Sequence, residues 1–168
     1  NNYLAKIRKR CDEVGALWIL DEIQPGIGRT GTLFGFENYN CIPDILVTGK
    51  GLGGGLPIGA FTASSKLMDT LQNHPKLGHI TTFGGNPVIA AAALATLREI
   101  TESDLMSQAL EKEQLIRTHL KHPLIKEIRG KGLMLAAILF SEDIVNQLVL
   151  KAQAHGLILF WLLFEPKA

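Results

Sequence analysis

Short apolar runs alternate with glycine-rich polar stretches through the first half of the chain. Ala16-Leu17-Trp18-Ile19-Leu20 leads into Asp21, Glu22 and Gln24, and Ile45-Leu46-Val47-Thr48 leads into Gly49-Lys50-Gly51-Leu52-Gly53-Gly54-Gly55. Runs this short and this apolar predict strands buried on both faces, the usual state of a parallel sheet. Before them, Leu4, Ile7, Cys11 and Val14 recur at helical spacing. They predict a helix capped by Asn2 and stopped by Gly15, with Lys6, Arg8, Lys9 and Arg10 as its solvated face. Residues 25–35 carry four glycines and no helical period, so a loop is expected there. Residues 58–63 predict a third strand and residues 64–71 a short helix.

The second half has different punctuation. Thr81-Thr82-Phe83-Gly84-Gly85-Asn86-Pro87 reads as a turn into a long helix, with Asn86 at the N-cap and Pro87 at the first helical position. Thr101 and Asp104 have capping-box spacing and predict the start of another helix that ends before Pro123. Residues 125–129 and 133–140 predict strands around a Gly130-Lys131-Gly132 turn. Ser141 predicts a helix cap, with Ile144, Val145, Leu148, Val149 and Ala152 on one face and Gly156 as the stop. The apolar run 157–164 is too short to span a bilayer, which takes about 20 residues, and predicts one more buried strand. The change of texture places a domain boundary near residue 102, giving segments 1–102 and 103–168.

Bulk composition narrows the class. At 168 residues and 46% hydrophobic, the chain can bury a core of one or two domains. A formal net charge of +1 with no long single-sign block argues against a nucleic-acid or polybasic membrane partner. Cys11 and Cys41 show neither metal-ligand spacing nor a disulfide pattern, so reduced thiols, a cytoplasmic location and no metal site are expected. The chain opens on Asn1-Asn2 and closes on Glu165-Pro166-Lys167-Ala168 directly after an apolar run, so a fragment of a longer protein is expected.

The candidate chemistry sits where strands meet glycines. In open α/β sheets, ligands bind beyond the carboxyl ends of the strands. Both Gly49-Lys50-Gly51-Leu52-Gly53-Gly54 and Gly26-Ile27-Gly28-Arg29-Thr30-Gly31 fit G-x-G-x-x-G, but neither is followed by a helix start, which a dinucleotide fingerprint requires. A Walker A loop fails as well, because Asp44 stands at its first glycine and Gly51 follows Lys50. Lys50 is either a surface lysine or an amine that adds to a carbonyl as a Schiff base, for which its flanking glycines allow close approach. Asp21 either caps a strand end or keeps a pyridine nitrogen protonated. Gln24 can both donate and accept, as a ring oxygen requires, or it is an ordinary loop residue. Thr81 and Thr82, ahead of a helix N-terminus, suit a phosphate or simply cap the helix.

Taken together, these segments resemble the class III aminotransferases, pyridoxal-phosphate enzymes of fold type I. The matching stretches are Leu20-Asp21-Glu22-Ile23-Gln24 with Gly28-Arg29-Thr30-Gly31, then residues 43–60 around Lys50, then Thr81 to Pro87. The resemblance implies an α/β fold. It would comprise the later half of a three-layer, mostly parallel-sheet cofactor domain (1–102) and part of an α+β small domain (103–168). It also implies roles: Lys50 holds pyridoxal 5'-phosphate as a Schiff base and shuttles protons, Asp21 pairs with the ring nitrogen, Ile23 packs on a ring face and Gln24 bonds the ring oxygen. Thr82, with Thr81, resembles the phosphate ligand that each subunit lends its neighbour, which implies a homodimer with shared sites.

The implied reaction is a ping-pong transfer of an amino group from an amine or ω-amino acid to a 2-oxo acid. The overall look most resembles acetylornithine and ornithine aminotransferases. 4-Aminobutyrate aminotransferases and glutamate-1-semialdehyde aminomutases share the motifs, and a non-catalytic binding relative is the alternative from another class. The family's other phosphate-binding turn and its stacking aromatic lie upstream of residue 1, and its carboxylate-binding arginine lies beyond Ala168. The chain alone is therefore expected to be inactive, and Arg129 is read as a locally paired turn residue.

Overall fold

The computed structural model describes residues 2–73, 76, 79–162 and 164–168. They form two compact units, Asn1–Gln108 and Ala109–Ala168. The first holds α1 (Tyr3–Val14), β1 (Ile19–Asp21), β2 (Ile45–Gly49), β3 (Gly59–Ala63), α2 (Ser65–Met68), α3 (Thr70–Asn73) and α4 (Pro87–Glu102). Short 3-10 helices cover Gly35–Tyr39 and Lys50–Gly53. Helix α5 (Leu105–His119) contains the division, and β4 (Ile125–Lys131), β5 (Met134–Leu139) and α6 (Glu142–Ala154) follow. No helix among the described residues is long and apolar enough to cross a membrane.

Gly15 ends α1 in the left-handed conformation at φ 69°, as its sequence position predicts. Asn2 does not cap: its ψ of 30° is not the extended geometry from which a side chain reaches back, and its carbonyl takes the amide of Lys6 instead. The basic face is solvated at Lys6, Lys9 and Arg10, but Arg8 is half-buried. Its guanidinium bonds Asp44 and Asp12 and lies 5.7 Å from the centre of the buried Trp18 ring. The same Asp44 oxygen accepts the Trp18 amide at 2.7 Å, so one carboxylate ties α1 to the starts of β1 and β2. The Trp18 amide and then Arg8 hold that carboxyl below its ordinary pKa.

The sheet runs β1-β2-β3, with β1 and β2 parallel and β2 and β3 antiparallel. Alternate residues share a face, so Leu17, Ile19, Asp21, Ile45, Val47 and Phe61 stand on one side. That side is open: Leu17 is 55% exposed, Ile19 60% and Phe61 44%. Burial on both faces is therefore not observed for the first run. A second covering layer is required for it, and none of the described residues supplies one.

Helix α4 starts as its sequence predicts, with the Asn86 side chain accepting the amides of Val88 and Ile89 and Pro87 in first position. It then runs through Thr101, which is not a cap. No glycine or proline interrupts residues 88–101, and the Thr101 hydroxyl bonds the Leu97 carbonyl four residues back. Asp104 Oδ1 takes the Gln108 side chain.

The glycines after Lys50 lie against α4. Gly54 adopts φ 58°, and a Cβ there would overlap the Thr96 hydroxyl. Gly54→Ala is expected to destabilise the chain by about 2 kcal/mol, the sum of left-handed backbone strain and displacement of Thr96. Gly59→Ala, with nothing within 4 Å of its added Cβ, should be nearly silent in the same denaturant titration.

In the second unit β4 and β5 form an antiparallel hairpin, and Leu139 packs with Val145 and Val149 of α6, flanked by Ile125 and Ile144. Ser141 caps α6 by accepting the Ile144 amide. Over residues 157–162 the expected strand does not form, and Leu163 lies outside the described residues. Residues 157–162 carry no strand assignment, and Ile158 (90% exposed) and Phe160 (77%) face solvent. A strand needs a neighbour to bond, and no described residue pairs with this one.

Candidate active site at the carboxyl ends of two parallel strands

Asp21 pairs with Val47 in the parallel register, so β1 and β2 end side by side pointing the same way. Lys50 begins three residues beyond Val47, directly after Gly49 closes β2. Glu22 donates its amide to the Val47 carbonyl at 2.8 Å, which holds the exit of β1 against β2. Asp21 is exposed, and its Oδ1 accepts the Ile23 amide at 2.9 Å. Ile23 sits over the strand end: a Cβ at position 49 would lie 3.7 Å from both Cγ1 and Cγ2 of Ile23. Gln24 is exposed on the same turn. The structure thus gathers Asp21, Ile23, Gln24 and Lys50 at one end of the sheet.

Lys50 has two unusual properties. It stands at φ 45°, a left-handed conformation that L-residues other than glycine rarely adopt, although glycines flank it on both sides. Its side chain is exposed, and no ion pair or hydrogen bond engages it among the described residues. Backbone strain of this kind concentrates at working sites, which makes Lys50 a candidate for one.

Thr81 and Thr82 stand at the turn that leads into α4. Thr81 lines a cavity of about 560 Å³ with Pro57, Ile58, Gly59 and the Gly84-Gly85-Asn86 turn. Thr82 is exposed beside it. A Cβ on Gly84 would meet the Thr81 hydroxyl, which would have to turn away. Neither glycine-rich loop opens an α-helix. Residues 31–34 are bends before a 3-10 helix, and the Lys50 loop returns as β3. Among the described residues no group of three or more His, Cys, Asp or Glu could hold a metal ion. Arg129 pairs with Glu127 at 2.9 Å and lies 3.9 Å from Glu165.

One residue that sequence patterns left without a role is central here. Glu22, 2% exposed, bonds the amides of Gly35 and Phe36, each at 2.8 Å. Burial pushes its carboxyl above the ordinary value, against the two amides, which favour the charged form. The available signal was its parity: next to Asp21 in an extended strand, Glu22 must point to the opposite, covered face.

The comparisons with known proteins agree with this geometry. The aminotransferase class-III family model matches residues 1–162. An acetylornithine aminotransferase from Caldanaerobacter subterraneus subsp. tengcongensis is 46% identical over 162 residues, 94% of this chain and 40% of that protein. The crystal structure of ornithine aminotransferase from Toxoplasma gondii ME49 matches with a TM-score of 0.84 at 36% identity, over 94% of this chain and 38% of that one. Taurine:2-oxoglutarate aminotransferase from Bifidobacterium kashiwanohense, solved with PLP and glutamate, gives 0.85 at 26% identity, over 95% and 40%. The chain therefore spans about two fifths of the length of these relatives.

The fold is that of the fold type I pyridoxal-phosphate-dependent transferases. Within it, the chain belongs to the class III aminotransferases. The family implies pyridoxal phosphate, and the residues present fit that group. Lys50 offers an unengaged amine, and Asp21 has one carboxylate oxygen beyond the one that takes the Ile23 amide.

Proposed function

We propose that this chain forms part of an aminotransferase that moves an amino group from an ω-amino acid of the acetylornithine or ornithine kind to a 2-oxo acid. The observation that carries the reading is Lys50: exposed, unengaged and held at φ 45° where β2 ends beside the strand that delivers Asp21. The 46% identity to an acetylornithine aminotransferase supports the substrate class.

When bound, pyridoxal phosphate supplies an electron sink that makes the amine-bearing carbon acidic. With that group bound, the Lys50 amine would hold it covalently and, once freed, could carry a proton as the local acid–base group. The Asp21 carboxylate would keep a proton on the ring nitrogen, Ile23 would pack on the ring and Gln24 would bond the ring oxygen. Thr82, with Thr81, would bind the phosphate in the site of a second subunit. The exposure of Thr82, and the cavity that Thr81 lines with the Pro57–Gly59 segment, support that assignment.

The open sheet face and the two-fifths coverage support a division of labour in which the remaining cofactor contacts come from sequence outside these residues. Trapping tests both statements at once. The protein from the complete reading frame, incubated with pyridoxal phosphate and reduced with borohydride, should carry the label on Lys50 in peptide mass spectra. The isolated 168-residue chain should show no transaminase turnover. Label at another lysine, or none, would replace the enzyme with a binding protein, and turnover by the isolated chain would remove the division of labour.

A further inference from the structure

We propose that Glu22 is a positioning residue for the cofactor site: its buried carboxylate closes loop 22–36 on two backbone amides and so sets where Ile23 and Gln24 stand. The inference rests on the cofactor reading above and adds a residue to it.

Glu22 is tied at four points. Its amide bonds Val47 on β2, its carbonyl accepts the Gly26 amide at 3.0 Å, and its two carboxylate oxygens take the amides of Gly35 and Phe36. Ile23 and Gln24 lie inside this frame. The surrounding glycines are shaped to it. A Cβ at position 26 would come within 2.5 Å of the Glu22 carbonyl oxygen. One at position 35 would lie 3.2 and 3.3 Å from the carboxylate oxygens and 3.1 Å from Pro25 Cβ. No cationic side chain neutralises the carboxylate among the described residues, and the charged groups acting on it are the carboxylates of Glu37 and Asp21. A buried anion with only backbone donors is a poor device for stability alone, because its desolvation is offset by two hydrogen bonds and no ion pair. What it does supply is geometry, joining the strand exit to residues 13 and 14 positions later.

The test uses the protein from the complete reading frame. Glu22→Gln keeps the shape but sets an amide N–H against one of the two backbone donors, leaving that donor unsatisfied. In the cofactor-free protein, trypsin cleavage after the exposed Arg29 should accelerate roughly 10-fold as the loop opens. In the loaded protein, the pH midpoint of the cofactor's visible absorption band should move in the same direction as in Gln24→Ala. The double variant should move it no further than the larger single shift, since the two residues act through one contact. Gly35→Ala, which presses the clamp from the other side, should reproduce both effects and stands in if Glu22→Gln does not fold. Faster cleavage with a band midpoint equal to wild type, or additive shifts in the double variant, would reduce Glu22 to a fold residue and overturn the proposal. A wild-type protein that develops no band removes the cofactor reading itself and this proposal with it, an outcome distinct from a wild-type band that Glu22→Gln leaves unmoved.

Discussion

Lys50→Ala is expected to lower turnover by at least about 10⁴-fold, the upper range of what one positioned acid–base group contributes, and to abolish covalent retention of the cofactor. The fold should not notice. The side chain is exposed and unengaged among the described residues, so the change in stability should stay within about 0.5 kcal/mol and the melting temperature within about 2 °C. Alanine bears the same left-handed strain as lysine at φ 45°, so the backbone penalty cancels in the comparison. Steady-state kinetics beside a melting curve separate the two statements. A variant that keeps more than a hundredth of wild-type activity sinks the role of Lys50, and one that is inactive only because it unfolds sinks the claim that the residue is free of structural duty.

Much of the secondary structure was legible because its signals are local. Asn86-Pro87, Ser141 and Gly15 each mark a helix end through groups within four residues, and all three act where the sequence places them. The three strands of the first unit are equally local, each a short apolar run between glycines and prolines. The failures are of another kind. Leu17 and Ile19 are as apolar as any core strand, yet their burial depends on a covering layer, which no pattern inside the strand encodes. Residues 157–162 fail likewise, since strand propensity needs a partner edge to become a strand. At Thr101 the competing signal was also local, a hydroxyl able to bond the preceding turn.

The candidate site was legible as far as chemistry at strand ends goes. Asp21, Ile23, Gln24 and Lys50 do gather at one end of the β1-β2 pair, and the parallel register that gathers them follows from two short apolar runs. The left-handed backbone at Lys50 and at Ile27, which has φ 60°, was not legible, because each breaks the local preference of its own residue type. Such conflicts are expected where function rather than folding selects the residue. Glu22 escaped for the opposite reason. Its partners are backbone amides, which every sequence has, so no complementary side chain announces it.

The largest stability effect is expected in the second unit, from Glu113→Ala. Glu113 lies inside α5 and is nearly buried; its Oε1 takes Arg117 Nε at 2.8 Å and its Oε2 takes the Gly132 amide at 2.6 Å. Arg117 in turn donates to the carbonyls of Ile128 and Gly130, so one ion pair fastens the helix to the turn of the β4-β5 hairpin. Removing the carboxylate strands a guanidinium and leaves the Gly132 amide unpaired. Broken buried pairs cost 3–5 kcal/mol, and the partial exposure of Arg117 places this one near the low end, about 3 kcal/mol. The effect should also depend on pH. Burial pushes the Glu113 carboxyl up, but Arg117 and the Gly132 amide more than reverse this and hold it below its usual 4.5. A lowered acid stabilises the fold fully above the unfolded value and loses that contribution as pH falls below 4.5 through the folded one. Glu127, lowered by Arg129, acts in the same direction, whereas in the first unit Glu22 and Asp44 shift oppositely and blur the trend. Hydrogen exchange across β4 and β5 of the full chain should therefore show a gap between wild type and Glu113→Ala that is widest near neutrality and narrows in acid. A gap that stays constant from pH 7 to about pH 3 would mean that Glu113 acts through packing or as a neutral acid, and that the ion pair does not hold the hairpin.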